Sequence, residues 1–256
     1  MRVINYEQLK SILGAVEGNP RVVASGNFAT PNTLLRALDE SVESFRLNML
    51  GAQAGIPNRD GITFESSFVG PGMRRNPRLQ YVPSRLSLVP ILYRDYFQPD
   101  VVLLHTSQRR HDTVSLGIEV NVLPAAIDAV RQRGGLVIAQ ANKNMPYTYG
   151  DAQIYDNEID YLIEVDEPLQ SRDPVAPSAE AQEIGSRIAK MVNDSATLQS
   201  GIGGIPDAVL AGLTHRKGLR IWTEMFSDGV LDLYKAGALA KEIPLTASFL
   251  FGSTEL

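Results

Sequence analysis

Val101-Val102-Leu103-Leu104-His105, preceded by Pro99-Asp100, is a nearly unbroken apolar run. A strand with one wet face alternates in polarity. A run that is apolar on both parities belongs to a strand covered on both faces, as at the centre of a parallel sheet. The residues that follow agree. Leu123 to Arg133 carries apolar side chains at helical spacing and stops at Gly134-Gly135, where glycine accepts the left-handed conformation that ends a helix. Leu136-Val137-Ile138-Ala139-Gln140 is then a second apolar run. Strand, helix and strand in that order form a βαβ unit, which pairs its strands in parallel.

The same alternation extends outward. Toward the N-terminus, Arg21 to Ser25 reads as a buried strand, Gly26 to Pro31 as a turn, Asn32 to Glu43 as a helix with Leu34, Leu35, Leu38 and Val42 on one face, and Phe45 to Leu50 as a strand. Toward the C-terminus, Ile159 to Glu164 reads as a strand. Asp166 to Pro177 then places Pro168, Pro174 and Pro177 among charged residues and reads as a break between domains. Beyond it the pattern resumes: a helix from Ser178 to about Asn193 with Ile184, Ile188, Met191 and Val192 on one face, a strand Ala196–Gln199, a glycine loop Ser200–Pro206, and a helix Asp207–Leu213. A strand Leu219–Glu224, a helix Ser227–Gly237 and a strand Thr246–Phe251 complete the reading. The expected fold class is α/β with parallel sheets. Residues 1–170 form the first domain, 171–178 a linker, and 179–256 the start of a second, similar domain. Three strands make a small sheet, so the second domain is expected to be truncated.

Composition limits the function. With 256 residues, 44% hydrophobic and 21% charged, the chain can bury a sizeable core, which argues against global disorder. The formal net charge is −5 and no basic block interrupts it, so a nucleic-acid partner is not expected. Cysteine is absent and the three histidines, His105, His111 and His215, lie far apart. Thiol nucleophiles, disulfides and a zinc site are therefore not expected. No stretch reaches the roughly 18–20 apolar residues of a membrane span, and the first seven residues do not form a signal peptide. The expectation is a cytoplasmic α/β enzyme acting on small molecules.

Two features carry chemistry. Gly201-Ile202-Gly203-Gly204-Ile205-Pro206 lies between a strand and a helix, an arrangement that aims backbone amides at an anion or a developing oxyanion. The same loop also reads as a plain turn. Glu224 ends the next strand. In open parallel sheets the carboxyl ends of strands face the ligand crevice, so loop and glutamate open on one edge. A carboxylate beside amide donors can act as a covalent nucleophile. A solvated glutamate preceding the helix near Ser227 is the competing reading. Trp222, the sole tryptophan, reads as core. His105 and His111 read as structural or solvated. Ser25, Asn27, Gln140, Asn142 and Met145 follow strand ends and are candidates for the wall of an acyl site, each with a turn or packing reading beside it.

The loop Gly201–Pro206 followed by Trp222-Thr223-Glu224-Met225-Phe226-Ser227-Asp228-Gly229-Val230-Leu231-Asp232-Leu233 resembles the acetyl-CoA hydrolase/transferase family. Gly134 to Asp151, with Ala139-Gln140-Ala141-Asn142-Lys143-Asn144-Met145-Pro146, and Ile159 to Leu169 carry the same resemblance. It implies that Glu224 attacks an acyl-CoA thioester to give a mixed anhydride. The released CoA thiolate then attacks the glutamyl carbonyl, leaving a glutamyl-CoA thioester and a free acid, and a second acid takes the CoA by the reverse steps. Gly201, Ile202, Gly203, Gly204 and Ile205 are implied to bind CoA and stabilise the oxyanion, with desolvation raising the reactivity of Glu224. Coenzyme A is implied as co-substrate, with no tightly bound cofactor and no metal. The partners are acyl-CoA and small carboxylates, not a membrane. A homo-oligomer, or a second chain completing the site, is expected. An acyl-CoA hydrolase using the same glutamate, and an inactive or partner-dependent CoA-binding fragment, are the alternatives.

Overall fold

The computed structural model describes residues 1–256. They fold as two compact units, Met1–Gln170 and Ser171–Leu256.

The first unit contains β1 (Arg2–Val3), α1 (Tyr6–Gly14), β2 (Arg21–Ala24), α2 (Asn32–Ser41), β3 (Phe45–Asn48), β4 (Ile62–Ser66), β5 (Leu79–Tyr81), α3 (Val89–Asp95), β6 (Val101–Ser107), β7 (Thr113–Ser115), α4 (Leu123–Gln132), β8 (Leu136–Asn142), β9 (Gln153–Tyr155) and β10 (Tyr161–Val165). Eight strands form one sheet in the order β1-β10-β8-β6-β2-β3-β4-β5. Every pairing in it is parallel. The pair β7 and β9 is antiparallel and stands apart from that sheet.

The apolar runs occupy the centre, as their composition requires. Every residue of β6 is buried. Val101 and Leu103 join a core with Leu9, Leu13, Leu34, Leu35 and Leu38 of α1 and α2. Val102 and Leu104 join a second core with Tyr93, Leu123, Ile127 and Val130 of α3 and α4. Helices thus cover both faces of the sheet. The chain runs outward from β2 through β3 and β4 to β5, then returns to place β6 on the opposite flank of β2. The strand order therefore reverses between β2 and β6, where open α/β sheets commonly hold their ligands.

Several elements lie outside what the sequence pattern foresees: β1, α1, β4, β5, α3, β7 and β9. β1 has two residues and β5, β7 and β9 three each, too short for a period to register. α1 is the exception that carries a signal, since Asn5 and Gln8 form a reciprocal capping box.

The second unit contains α5 (Ala179–Ala189), β11 (Thr197–Leu198), α6 (Gly204–Ala211), β12 (Arg220–Ile221), β13 (Met225–Phe226), α7 (Asp228–Lys235) and β14 (Phe249–Leu250). β11 pairs in parallel with β12, and β13 with β14. Single parallel bridges, Leu219 to Leu239 and Trp222 to Thr246, join the chain around β12 to the segment that follows α7. Leu210, Leu213, Ile221, Phe226, Val230 and Leu233 form its core.

Two expectations are corrected here. The strand expected over Leu219–Glu224 is regular only at Arg220–Ile221; it continues as one bridge at Trp222 and bends at Glu224. The side chain of Thr223 competes for local backbone groups there, and the Glu224 carbonyl accepts two amides, Ser248 N–H at 2.8 Å and Phe249 N–H at 3.2 Å. The apolar stripe of α5 is the second case. Ala181, Gly185 and Ala189 are the buried residues of the helix, while Ile184, Ile188 and Met191 are exposed. A Cβ built on Gly185 would lie 2.7 Å from the Ala208 backbone, so α5 and α6 meet through small residues.

Candidate functional site

Glu224 and the glycine loop both belong to the second unit and follow neighbouring parallel strands. Leu198 of β11 is in register with Ile221 of β12. The chains leaving these strands are stitched together by Thr223. Its Oγ1 accepts a hydrogen bond from Ser200 N–H at 3.1 Å. It lies 2.8 Å from the Ser200 carbonyl and 3.1 Å from the Met225 carbonyl, either of which takes its proton. Trp222 N–H donates to the Leu198 carbonyl at 3.1 Å and Thr223 N–H to the Thr246 carbonyl at 3.0 Å. The backbone on both sides of Glu224 is therefore fixed from three neighbouring segments. The Glu224 side chain itself is exposed.

The loop residues Gly201, Ile202, Gly203, Gly204 and Ile205 are exposed as well. Gly203 caps α6 with φ +111° and ψ 177°, a backbone state that side-chain-bearing residues avoid. The helix begins at Gly204, earlier than the pattern suggests, and Pro206 sits in its first turn where a missing N–H costs nothing. The first bond of the helix runs from Asp207 N–H to the Gly203 carbonyl at 3.0 Å. The amides of Gly204 and Ile205 precede it and have no partner within the helix. They are free to meet an anion.

An open cleft of about 820 Å³ adjoins this loop, lined by Ile202–Ile205, by residues 172–178 and by Asp207, Asp228 and Asp232 among others. Glu224 does not line it. Its carboxylates outnumber the single guanidinium of Arg172, and Asp207 and Asp228 are engaged by Ser227 and Ser253. The loop that carries the free amides thus borders this cleft, while Glu224 stands outside its lining.

The five remaining candidates lie in the first unit, and four of them are committed to holding the protein together. Ser25 Oγ accepts from His105 N–H at 3.0 Å. Gln140 Oε1 accepts the first-turn amides of α2, Thr33 N–H at 3.1 Å and Leu34 N–H at 3.3 Å, and its Nε2 donates to Glu167 at 3.1 Å. Asn142 pairs with the Glu167 backbone like a strand, donating to its carbonyl at 2.8 Å and accepting its N–H at 3.2 Å. Met145 is buried at the turn after β8. Asn27, in the left-handed region at φ 43°, donates to the buried Glu119 at 2.7 Å. Ser25, Gln140 and Asn142 thus form one network with His105; Asn27 belongs to a separate pair.

His105 sits inside that network. Its Nδ1 donates to the Ala29 carbonyl at 3.2 Å, which leaves Nε2 to accept from Asn142 Nδ2 at 3.0 Å. Burial disfavours the imidazolium and pushes the pKa down to about 4, against smaller opposing effects of the Thr30 and Ala29 backbone and of Glu167. The sequence analysis singles out none of Glu119, Thr33, Glu167 and Ser200, although Ser200 opens the glycine loop and Glu167 lies in the stretch Ile159–Leu169. Thr223 was within reach, because it directly precedes Glu224. No group of three or more His, Asp or Glu side chains gathers in a metal-binding arrangement, and no helix is long and apolar enough to cross a membrane.

Comparison with known proteins agrees with the sequence resemblance. The chain is 32% identical over 260 residues to the 4-hydroxybutyrate coenzyme A transferase of Clostridium kluyveri, covering 94% of this chain and 60% of that protein. It is 36% identical over 240 residues to the succinyl-CoA:acetate/propanoyl-CoA:succinate CoA transferase of Fasciola hepatica, covering 88% of this chain and 49% of that protein. An acetyl-CoA hydrolase of Candida glabrata is 30% identical over 142 residues, 48% of this chain and 27% of that protein. The crystal structure of 4-hydroxybutyrate CoA-transferase from Porphyromonas gingivalis superposes with a TM-score of 0.77 at 28% identity, covering the whole chain and 64% of that structure. No family model matches. The chain spans about half to three-fifths of the length of these two transferases.

Proposed function

We propose that this chain, a relative of the CoA transferases and acetyl-CoA hydrolases, takes part in moving coenzyme A between an acyl-CoA and a small carboxylic acid, with Glu224 as the covalent nucleophile. The observation that carries the reading is the Thr223 hydroxyl bridge, which ties the turn bearing Glu224 to the start of the glycine loop. The bridge sets the turn that bears the carboxylate beside the chain entering the loop, and acyl transfer needs a carboxylate and amide donors within reach of one substrate.

In this reading the Glu224 carboxylate attacks the thioester carbonyl and expels CoA thiolate, giving a mixed anhydride. The thiolate returns to the glutamyl carbonyl and releases the free acid, leaving CoA as a thioester on Glu224. An incoming carboxylate attacks that thioester, and the same two steps run backward. The amides of Gly204 and Ile205 supply the donors for the oxyanions. Gly201 and Gly203 keep side chains out of the way of the CoA arm, and the exposed Ile202 between them offers it an apolar contact. Because Glu224 is exposed in the free protein, the substrate itself supplies the desolvation that sharpens its reactivity. Ser25, Asn27, Gln140, Asn142 and Met145 support the first unit in this scheme. The polar groups of Ser25, Gln140 and Asn142 are occupied by structural bonds, so their role in an acyl site is indirect.

A hydrolase would use the same glutamate with water as the second acceptor, and the acetyl-CoA hydrolase relative favours keeping that reading. Release of CoA from acetyl-CoA, measured with and without a competing carboxylate, separates the two. A transferase forms the new acyl-CoA in proportion to added acid. A rate of CoA release indifferent to the acid, with no new thioester, would favour hydrolysis. Activity unchanged in Glu224→Gln would remove the nucleophile assignment altogether.

A further inference from the structure

Thr223 fixes only one end of the glycine loop. The amides of Gly201, Ile202 and Gly203 make no backbone hydrogen bond, and the residues from Gly201 to Ile205 are exposed. Little within the loop fixes its shape, so its place is set where it begins and where it ends. It begins at Ser200, which Thr223 holds. It ends at Asp207, in the first turn of α6.

The far end has a tie of its own. Ser227 Oγ donates a hydrogen bond to Asp207 Oδ1 at 2.9 Å. Ser227 is buried and stands at the N-cap of α7 with extended backbone. A serine there ordinarily turns its oxygen onto the first-turn amides of its own helix. This one accepts none of them, and its proton goes across to the neighbouring helix instead. The segment between the two ties is stiff. Thr223 N–H donates to the Thr246 carbonyl at 3.0 Å, Phe251 N–H to the Phe226 carbonyl at 3.1 Å, and β13 pairs with β14. Burial alternates along it: Trp222, 65% exposed and not in the core as its hydrophobicity suggests, and Glu224 face outward, while Thr223 turns inward. Thr223 and Ser227 thus flank Glu224 and grip Ser200 and Asp207, the residues on either side of Gly201–Pro206. Loop and glutamate segment form a ring closed by two hydrogen-bonded ties.

We infer that Ser227 and Asp207 are positioning residues for acyl transfer: their hydrogen bond is the second of two clamps that hold the loop carrying the Gly204 and Ile205 amides against the segment that bears Glu224. This inference rests on Glu224 being the nucleophile and on those amides meeting the oxyanion. Asp207 shares the first turn of α6 with Gly204 and Ile205, so a shift of Asp207 carries the amides with it. Neither Ser227 nor Asp207 takes part in bond making. Losing their tie misplaces donors that act in the transition state, so kcat and kcat/KM fall together while KM holds.

The test compares wild type with Ser227→Ala, Asp207→Ala, the two alanines together, and Asp207→Asn. Three quantities are read: steady-state CoA exchange from acetyl-CoA to an added acid, the CoA adduct on the Glu224 peptide, and amide hydrogen exchange over residues 203–210. Each alanine variant should lower kcat about tenfold with KM changed less than twofold, and the double variant should be no worse than either single one. Asp207→Asn keeps an oxygen for the Ser227 proton and should keep most of the activity. Hydrogen exchange over 203–210 should quicken severalfold in the alanine variants. If Ser227→Ala does not fold, Asp207→Ala against Asp207→Asn makes the same comparison. A wild-type adduct with kcat unchanged in Ser227→Ala, or with losses that multiply in the double variant, would overturn the clamp and leave Glu224 standing. A wild type that forms no adduct would overturn the nucleophile. Hydrogen exchange then decides the tie alone: quickened exchange in Ser227→Ala upholds it as a clamp on the loop, and unchanged exchange overturns it too.

Discussion

The hydroxyl of Thr223 lies 3.1 Å from the amide nitrogen and 2.8 Å from the carbonyl oxygen of Ser200. One side chain thereby reaches both backbone groups of the residue that opens the glycine loop, from the position next to Glu224. Removing it frees two partly buried backbone groups and releases the loop from the glutamate turn. Thr223→Ala is expected to cost about 1–2 kcal/mol in urea unfolding. In a CoA-exchange assay it should lower kcat by roughly ten- to a hundredfold. Thr223→Ser keeps the hydroxyl and should keep most of both. Equal losses in the two variants would show that the methyl packing of Thr223, not its hydrogen bonding, matters.

His105 gives the first unit a definite pH dependence. Its folded-state pKa, about 4, lies below the ordinary 6.5 because the imidazole is buried. Above pH 6.5 both folded and unfolded chains carry it neutral, and its contribution to stability is complete. Between 6.5 and 4 the unfolded chain binds a proton that the folded chain refuses, so stability falls with falling pH by about 3 kcal/mol, and below 4 the loss levels off. Urea unfolding of wild type and His105→Gln across this range tests it. The variant should be less stable at pH 7 and show a shallower decline, and parallel curves would contradict the assignment.

Arg21 and Glu65 form a two-point ion pair at 2.8 and 3.1 Å, with the Glu65 side chain only 1% exposed. Breaking it from one side strands a buried charge. Glu65→Ala is expected to destabilise the protein by about 3–5 kcal/mol, read as a shift in the urea midpoint. A shift under 1 kcal/mol would mean that the guanidinium finds water at once.

Gly185 is the contact point of α5 with α6, where an added Cβ lies 2.7 Å from the Ala208 backbone and from its Cβ. Helix propensity alone favours alanine by about 1 kcal/mol. Overpacking opposes it by about 1–3 kcal/mol, and contact at backbone atoms leaves little room to relax. Gly185→Ala should therefore destabilise the second unit despite the better propensity. A gain in thermal midpoint would show that the helices separate at little cost.

The central sheet was legible because β6 and β8 are apolar on both parities and are joined by a helix with a glycine stop; burial of both faces leaves that mark in composition. The short outer strands left none. In the second unit the apolar stripe of α5 misleads, since Ala181, Gly185 and Ala189 form the inner face through close approach rather than hydrophobic bulk. Trp222 misleads for a related reason: hydrophobicity argues for the core, but its parity on the strand places it with Arg220 and Glu224. Among candidate site residues, Gln140 and Asn142 were visible as polar residues at a strand end. That they bond to Glu167 depends on residues about 25 positions away, which no local pattern contains. The glutamate and the glycine loop were visible as motifs, and the Thr223 bridge joining them is tertiary.

The most direct test is mass spectrometry of the protein after brief incubation with acetyl-CoA in the absence of an acceptor acid. The account predicts a CoA-sized mass increase on the peptide containing Glu224, absent in Glu224→Gln and discharged when acetate is added. Turnover with no adduct on that peptide, or an adduct that persists in Glu224→Gln, would contradict it.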